Sequence, residues 1–455
     1  MIVMKFGGTA LADASRIRAA GEIVRGQLGL RPMVVVSALA GVTDLLIRAV
    51  SAAREGDRAG LEPILADLER RHRWALAGSV EHAGRRHDLS VAVDDLFEDL
   101  RQLLRSVRIL GEGTPRSSDA LLAFGEILAG NIVSAAFLDS GLPARWVDPR
   151  EVLITDDRHG AAEPDLDAIA RRCREGILPL LEAGEVPITG GFVGATRRGH
   201  TTTLGRGGSD TSASVLGSAM DAKEIQIWTD VDGILSADPD VAPNARLLER
   251  ISFSEAAELA YYGAKVLHPA SIEPAVRRQI PVRVRNALRP EGTGTVILAL
   301  SAADAPPIAS VSSRGGVSTV RVTSPRMRMD PDFVPRVLGA FHQEGIVPDL
   351  VVSSEVAVTV VFPGRRDLEG VLRLLGDGMR LESAEERAIL CVVGSGLAGD
   401  GSARGRVLSA LAGFDPEVVA LGASGTSVAA VFPEAVLGDA VRSMHRRFFE
   451  GEGDP

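Results

Sequence analysis

The sequence contains little cysteine, little lysine and few aromatic side chains. Two cysteines in 455 residues, Cys173 and Cys391, are too few for a disulfide framework, which predicts a reducing, cytoplasmic location. No uninterrupted apolar run reaches the roughly 18 residues that a membrane span needs. The opening Met1–Met4 has the character of a strand rather than of a secretory signal. We therefore expect no association with a membrane.

An excess of basic charge is also missing. The chain has 60 acidic and 50 basic residues, which argues against nucleic acid as its main partner. Apolar residues make up 45% and charged residues 24% of the chain, as in globular proteins with a packed core. At this length we expect several domains.

Only three of the basic residues are lysine: Lys5, Lys223 and Lys265. A lysine that persists in a chain so rich in arginine is a candidate for a site that needs a compact ammonium group, because arginine is a planar fork. Chance survival explains any single one of them equally well. All three lysines are therefore candidate site residues.

Residues 1 to about 300 have the pattern of one large α/β domain. Met33–Val36 and Ile225–Trp228 are apolar runs of buried-strand length, and helical patterns lie between such strands. From about residue 50 to 110 leucines recur at helical spacing instead. This change predicts a helical insertion within the domain.

Pro306-Pro307 and Gly315-Gly316 mark a boundary near residue 305. Beyond it, short apolar runs and helical patterns alternate in the order βαββαβ, and this order occurs about twice. We predict one small α+β domain over 310–388 and a second over 389–455.

The first segment with chemical character is Lys5–Thr9, Lys-Phe-Gly-Gly-Thr, between a strand and a helix that begins near Asp13. Glycines at such a turn let backbone N–H groups approach a phosphate, which Lys5 could also reach. The segment lacks the Gly-Lys-Ser/Thr of a P-loop.

The second segment, Thr203–Asp210, contains three glycines in four positions and precedes a helix predicted over Ala213–Met220. Glycine at this density is typical of a loop that wraps a ligand closely. Arg206 offers a bidentate grip on a carboxylate or phosphate, and Asp210 could orient a lysine.

Three further segments complete the set. One is Trp228–Gly233, which follows a strand, the place where α/β folds bind ligands. Another is Phe124–Glu126, which has an isolated carboxylate before a helix, and the last is Gly263–Pro269, which contains the third lysine. The sequence excludes an EF-hand loop, a zinc cluster and a Gly-x-Ser-x-Gly elbow. No metal site in the protein itself is expected.

Together these segments resemble the aspartate kinases over nearly the whole chain. The matching segments are Lys5–Thr9, Val36–Thr43, Phe124–Glu126, Gly190–Phe192, Thr201–Asp210, Trp228–Gly233 and Gly263–Pro269. The last third resembles the paired ACT regulatory domains of that family, through Asp349–Val356 and Gly422–Ser424. The helical insertion and the end at Pro455 resemble the monofunctional, lysine-sensitive type.

The resemblance implies a fold, an activity and a set of site residues. The implied fold is an amino-acid-kinase αβα sandwich followed by two ACT domains. The implied activity is transfer of a phosphoryl group from ATP, with Mg²⁺ carried by the nucleotide, to the side chain of L-aspartate. The implied roles are catalysis for Lys5 and Asp210; aspartate binding for Ser37, Thr43, Glu126, Arg206 and Ser209; nucleotide binding for Lys5, Gly7, Gly8, Thr229, Asp230 and Lys265; and effector binding for Met327, Met329, Asp349, Ser354 and Glu355.

The resemblance also implies an amino-acid effector such as lysine or threonine, and a homodimer or homotetramer formed through the ACT domains. The sequence departs from the family pattern beside both ligands. Leu235 and Asp240 stand where related enzymes place a tyrosine and an arginine near the nucleotide, and Met329 and Asp332 replace a histidine and a glycine in the effector loop. We therefore expect altered nucleotide affinity and weak lysine inhibition.

Two other functions remain open. The chain could be an amino-acid kinase for another small carboxylate, although Glu126 and Arg206 favour an α-amino acid over uridylate or carbamate. It could also be a catalytically idle, effector-binding subunit, although the retention of Lys5, Arg206 and Asp210 argues against decay. A kinase assay on several carboxylates separates these alternatives.

Overall fold

The computed structural model describes residues 1–263, 269–299, 306–324, 331–376, 378–422 and 424–451. The chain divides into two compact units. The first unit comprises Met1–Ile234 and Val266–Ala299, and the second comprises Leu235–Lys265 and Leu300–Pro455. The segment 235–265, which the sequence places in the large α/β domain, thus groups with the C-terminal part of the chain.

The first unit is built from short strands and helices that alternate along the chain. Its strands are β1 (Ile2–Phe6), β2 (Pro32–Val36), β3 (Ala144–Val147), β4 (Ile154–Thr155), β5 (Val186–Gly190), β6 (Val193–Thr196), β7 (Thr201–Thr203), β8 (Ile225–Thr229), β10 (Val282–Asn286) and β11 (Thr295–Leu298). Its helices are α1 (Ala14–Arg25), α2 (Val42–Arg54), α3 (Arg58–Ser79), α4 (Ala83–Leu110), α5 (Pro115–Leu122), α6 (Phe124–Asp139), α7 (Pro149–Val152), α8 (Leu166–Arg172), α9 (Leu178–Glu182), α10 (Gly208–Ala219) and α12 (Glu273–Arg277).

The main sheet of this unit has the strand order β3-β5-β2-β1-β8-β10-β11. All neighbouring pairs are parallel except β10 and β11. The central strands are wholly buried, which explains why they consist of continuous apolar runs. In a parallel sheet the carboxyl ends of neighbouring strands meet at one edge, so the segments after β1, β2, β5 and β8 converge there.

The predicted helical insertion corresponds to α3 and α4, which lie between α2 and α5. Leu68, Leu76, Leu100 and Leu104 bury their side chains in the core of the unit, whereas the arginines lie mostly on exposed faces. Helix α10 begins five residues earlier than the sequence predicts, at Gly208 rather than Ala213. Asp210 therefore lies in the first turn of a helix and not in a loop.

One stretch in the described part of the chain, Pro115–Asp139, is long and apolar enough to cross a membrane. It has 25 residues, and 78% of its most apolar window is buried inside the protein. The core helix of a folded domain meets the same criteria, and α6 is packed in this way.

The second unit is built from helices that pack on one sheet. Its elements are β9 (Arg250–Ser252), α11 (Phe253–Tyr261), β12 (Ser310–Thr323), α13 (Phe333–Gln343), β13 (Leu350–Ser353), β14 (Ala357–Pro363), α14 (Glu369–Leu375), β15 (Arg380–Val393), α15 (Gly401–Ala412), β16 (Val418–Leu421), β17 (Ser427–Pro433) and α16 (Leu437–Phe449).

The sheet of the second unit has the order β13-β14-β12-β15-β17-β16. Strands β12 and β15 have 14 residues each and pair with each other along most of their length. One half of β12 pairs with β14, and one half of β15 pairs with β17. Both βαββαβ modules therefore share one continuous sheet, and the predicted boundary at 388/389 lies within β15.

Candidate active site

A cavity of about 870 Å³ lies where the strand ends of the first unit converge. It gathers the predicted site residues Lys5, Gly7, Gly8, Ser37, Thr43, Glu126, Arg206, Ser209, Asp210, Thr229 and Asp230. Of the residues to which the sequence assigns catalytic, aspartate or nucleotide contacts, Lys265 alone is missing from this set, and it lies outside the described residues.

The cavity contains a nearly buried ion pair. Lys5, at the end of β1, is 8% exposed, and its Nζ lies 2.5 Å from Oδ1 of Asp210. The carboxylate comes from the first turn of α10, so the pair joins the first strand of the sheet to a helix some 200 residues away in sequence. The structure thus brings Asp210 into contact with Lys5, and its role in orienting the lysine stays a prediction.

The two glycines that follow Lys5, Gly7 and Gly8, differ in their contacts. The N–H of Gly7 donates to the Trp228 carbonyl at 2.9 Å, so that donor is already used and is not free for a phosphate. A Cβ at Gly8 would lie 2.7 Å from the Ala38 carbonyl oxygen, which excludes any larger residue there. The turn after β1 therefore places backbone without side chains at the cavity wall. Strand-to-helix turns of other proteins bind phosphates through backbone exposed in this way.

Arg206 lies in a loop that two left-handed glycines shape. Gly205 has φ 76° and Gly207 has φ 70°, conformations that side chains other than glycine rarely adopt. Arg206 itself is exposed and forms no ion pair with any residue that the structure describes. Its guanidinium is available for a ligand carboxylate or phosphate.

Glu126 contributes a buried carboxylate. It lies in the first turn of α6, which begins at Phe124 and not after Glu126 as predicted, and it is 3% exposed. Ala38 N donates to its Oε1 at 3.2 Å, whereas Oε2 has no hydrogen-bond partner among the described residues. Burial raises the pKa of Glu126 to about 8, and the Ala38 N–H and Lys5 oppose this rise. An ammonium group would fit this unsatisfied oxygen.

One buried carboxylate of the cavity wall was not predicted from the sequence. Asp119, on α5, is a buried carboxylate that lines the cavity and pairs with His159 at 2.7 Å. Its partners lie about 40 and 84 residues further along the chain. No local pattern could have indicated them. An isolated acid in the otherwise apolar stretch before Glu126 was the one available signal.

No group of three or more His, Cys, Asp or Glu side chains that could hold a metal ion occurs among the described residues.

The second unit has a smaller cavity of about 460 Å³, which Ser354 lines together with Arg321 and Glu417. Asp349 is not part of its wall, and the carboxylate pairs with Arg314 at 3.0 Å. Glu355 is exposed, and the predicted effector residues Met327 and Met329 lie outside the described residues.

Known proteins are similar to this chain over almost its whole length. The model of the amino acid kinase family matches residues 1–286. Lysine-sensitive aspartokinase 3 of Escherichia coli is 32% identical over 464 residues, 99% of each chain, and the chloroplastic aspartokinase 1 of Arabidopsis thaliana is 32% identical over 98% of this chain and 80% of its own.

Two solved structures are similar over almost the full length. The crystal structure of E. coli aspartokinase III in complex with lysine and aspartate (T-state) has a TM-score of 0.85 and 31% identity, covering 99% of both chains. The complex of that enzyme with aspartate and ADP (R-state) has a TM-score of 0.82 and 31% identity, covering 98% of this chain and 99% of that one. The fold class predicted from the sequence is thereby confirmed.

The raised pKa of Glu126 predicts a pH-dependent stability. Between its ordinary value of 4.5 and about 8 the unfolded chain releases a proton that the folded chain keeps, so rising pH favours unfolding. Glu126→Gln removes this effect because an amide does not titrate. The melting temperature of the variant minus that of the wild type should grow from about pH 5 to about pH 8 and then level off.

Glu185→Gln is the matched control. A hydrogen bond from Arg145 holds the pKa of Glu185 below its ordinary value, so the contribution of this carboxylate to stability is constant above that value. The melting-temperature difference for this variant should stay flat over the same pH range. A flat difference for Glu126→Gln as well would show that burial does not perturb Glu126.

Proposed function

The chain belongs to the amino acid kinase family and, within it, to the aspartokinases, and from that premise we propose how its cavity catalyses the reaction. The enzyme transfers the terminal phosphoryl group of ATP to the side-chain carboxylate of L-aspartate, giving 4-phospho-L-aspartate. The observation that carries this proposal is a single cavity in which the ammonium of Lys5, the guanidinium of Arg206 and the unsatisfied carboxylate of Glu126 are all present.

The acceptor side of the cavity fits an α-amino dicarboxylate. Arg206 clamps the α-carboxylate of aspartate and Glu126 binds its ammonium, while Ser37, Thr43 and Ser209 line the pocket around the side chain. A free side-chain carboxylate has a pKa of about 4, so it is already ionised at neutral pH. The attack therefore requires no general base, and the cavity needs none.

The donor side of the cavity must neutralise charge, because an anion attacks an anionic phosphate. Lys5 supplies the positive charge, and Asp210 holds it in place at 2.5 Å. The bare backbone at Gly8 receives a phosphate, and Thr229, Asp230 and Lys265 contact the rest of the nucleotide. We propose that Mg²⁺ arrives on the ATP phosphates, where it would add further positive charge.

A hydroxylamine assay tests this function against its two alternatives. Hydroxylamine traps an acyl phosphate as a hydroxamate, so the enzyme is incubated with ATP and with aspartate, glutamate or acetylglutamate in turn. We expect hydroxamate with aspartate and little with the others. Product from another carboxylate alone would reassign the substrate, and no product from any of them would favour an idle, effector-binding subunit.

We further propose that the second unit is regulatory and consists of two ACT modules, over 310–388 and 389–455. Its edge strands β13 and β16 expose Val351, Val419 and Leu421, and we propose that they pair with a second copy to form a homodimer or homotetramer. The buried, unpaired cysteines Cys173 and Cys391 fit a cytoplasmic location.

The Lys5 ammonium should not be replaceable by another cation. We expect Lys5→Arg to lower kcat by about 100-fold with a smaller change in KM, because Lys5 neutralises charge that develops in the transition state. Steady-state kinetics with both substrates measures this. Lys223→Arg is the control, since Lys223 is exposed and does not line the cavity, and it should be silent. A Lys5→Arg enzyme within about threefold of wild type would contradict the proposal.

Arg206→Lys should raise the KM for aspartate at least about tenfold, because a point charge cannot replace a bidentate clamp on a carboxylate. The KM for ATP should stay nearly constant. Initial rates measured with each substrate varied in turn give both values. If the KM for ATP rises instead, Arg206 contacts a phosphate and the assignment of the acceptor side is wrong.

Lysine should inhibit the enzyme weakly or not at all. Met329 and Asp332 replace a polar ring and a glycine, and Asp332 adds a negative charge near the effector carboxylate. Asp349, which would bind the effector ammonium, is already paired with Arg314 at 3.0 Å. Lysine regulates only if it binds one conformer better than the other.

Inhibition titrations with lysine, alone and together with threonine, measure this effect. The double variant Met329→His with Asp332→Gly should gain sensitivity to lysine. Strong inhibition of the unmodified enzyme at low lysine concentration would show that these two positions do not control the effector site.

A further inference from the structure

Asp119 is a buried carboxylate of the cavity wall to which the mechanism above gives no role. It lies on α5, is 1% exposed and lines the same cavity as Arg206. We propose that Asp119 is a positioning residue for the acceptor side: it holds the loop that carries Arg206, and thereby the clamp on the substrate α-carboxylate, in its binding position. This inference rests on the proposed aspartate kinase activity.

The carboxylate of Asp119 is saturated by donors from two other segments. Thr203 Oγ1 donates to its Oδ1 at 2.5 Å, and Nδ1 of His159 lies 2.7 Å from its Oδ2. The backbone N–H of Gly160 lies 3.1 Å from both oxygens. One side chain of α5 thus joins the end of β7 to the segment around residue 160.

These contacts determine where the Arg206 loop begins. Thr203 is the last residue of β7, three residues before Arg206, and its carbonyl accepts from Ala162 N at 2.9 Å. At Gly205 an added Cβ would lie 3.1 Å from the Gly160 carbonyl oxygen, so the two backbones are in close contact. The segment 160–162 therefore supports both Thr203 and Gly205, and Asp119 fixes that segment.

Within the loop, a hydrogen bond from the N–H of Gly208 to the carbonyl of Gly205 at 3.0 Å closes a turn, but the loop is rich in glycine. Gly205, Gly207 and Gly208 have no side chains, and the first two adopt left-handed φ angles. Glycine loses more conformational freedom on ordering than any other residue, so the loop depends on outside contacts for its position. A long arginine on such a loop binds tightly only if the loop is fixed beforehand.

A direct contact between Asp119 and substrate is the competing explanation. It is disfavoured because the chain's own donors already occupy both oxygens of Asp119, whereas Glu126 retains an oxygen without a partner. Asp119 would also repel the α-carboxylate that Arg206 binds. The function left to it is to hold the loop in place.

Asp119→Asn tests the inference, because asparagine keeps the shape but not the charge that His159 and Thr203 contact. Losing hydrogen bonds to a charged group costs enough to shift the loop, so we expect the KM for aspartate to rise at least about tenfold. The KM for ATP and kcat at saturating aspartate should stay within about threefold of wild type. A merely structural loss would instead change both KM values and kcat together.

Asp165→Asn is the matched control. Like Asp119, Asp165 is a carboxylate held by donors from other residues, since it caps α8 and pairs with Arg197, but it lies outside the wall of the cavity that contains Lys5. Its replacement should leave the KM for aspartate unchanged. If Asp119→Asn does not fold, Thr203→Val decides the question, since it removes one of the three donors and should raise the KM for aspartate alone.

An unchanged KM for aspartate in the folded Asp119→Asn enzyme, or in Thr203→Val where Asp119→Asn does not fold, overturns the inference. So does a parallel loss of kcat and of affinity for both substrates. The wild-type enzyme is assayed beside the variants: if it phosphorylates no aspartate, the proposed function has failed, whereas an active wild type with a normal variant refutes only the role of Asp119.

Discussion

The ion pair between Lys5 and Asp210 is the contact on which the site depends. Burial disfavours a charged amine, and two charges removed from water gain stability only when they are well paired. Here the two atoms lie 2.5 Å apart, and the pair joins the end of β1 to the first turn of α10. A reaction between two anions needs a positive charge that stays in place, and the contact with the carboxylate of Asp210 fixes the position of the Lys5 ammonium.

The sheet explains why these groups meet. Because β1, β2, β5 and β8 are parallel, the residues that follow each of them lie at one edge, where a cavity forms. Close approach of the backbones is possible because the turns contain glycine: Gly8 contacts the segment after β2. The glycines of the motifs therefore serve packing as much as ligand contact, and Gly7 even uses its N–H within the sheet.

The strand-ending motifs, most charged residues of the cavity and the order of elements could be predicted from the sequence, since apolar runs, glycine turns and rare lysines are local signals. The contacts of Asp119 could not, because they join segments far apart in the chain. The helix start at Gly208 was missed because glycine normally indicates a loop, whereas packing against Phe192 fixes this one. The length of β12 and β15 depends on pairing between modules, which no local pattern encodes.

We propose that the cavity holds a carboxyl group, Glu126, which becomes the counter-charge for the ammonium of aspartate as the substrate binds. Because the pKa of Glu126 is raised to about 8, this carboxyl is mostly protonated at neutral pH and must release its proton when an ammonium binds. Calorimetric titration with aspartate at about pH 7, repeated in buffers of different ionisation enthalpy, counts the protons released. This coupling of proton release to binding predicts about one proton for the wild type and none for Glu126→Gln. Equal proton release by both proteins would contradict it.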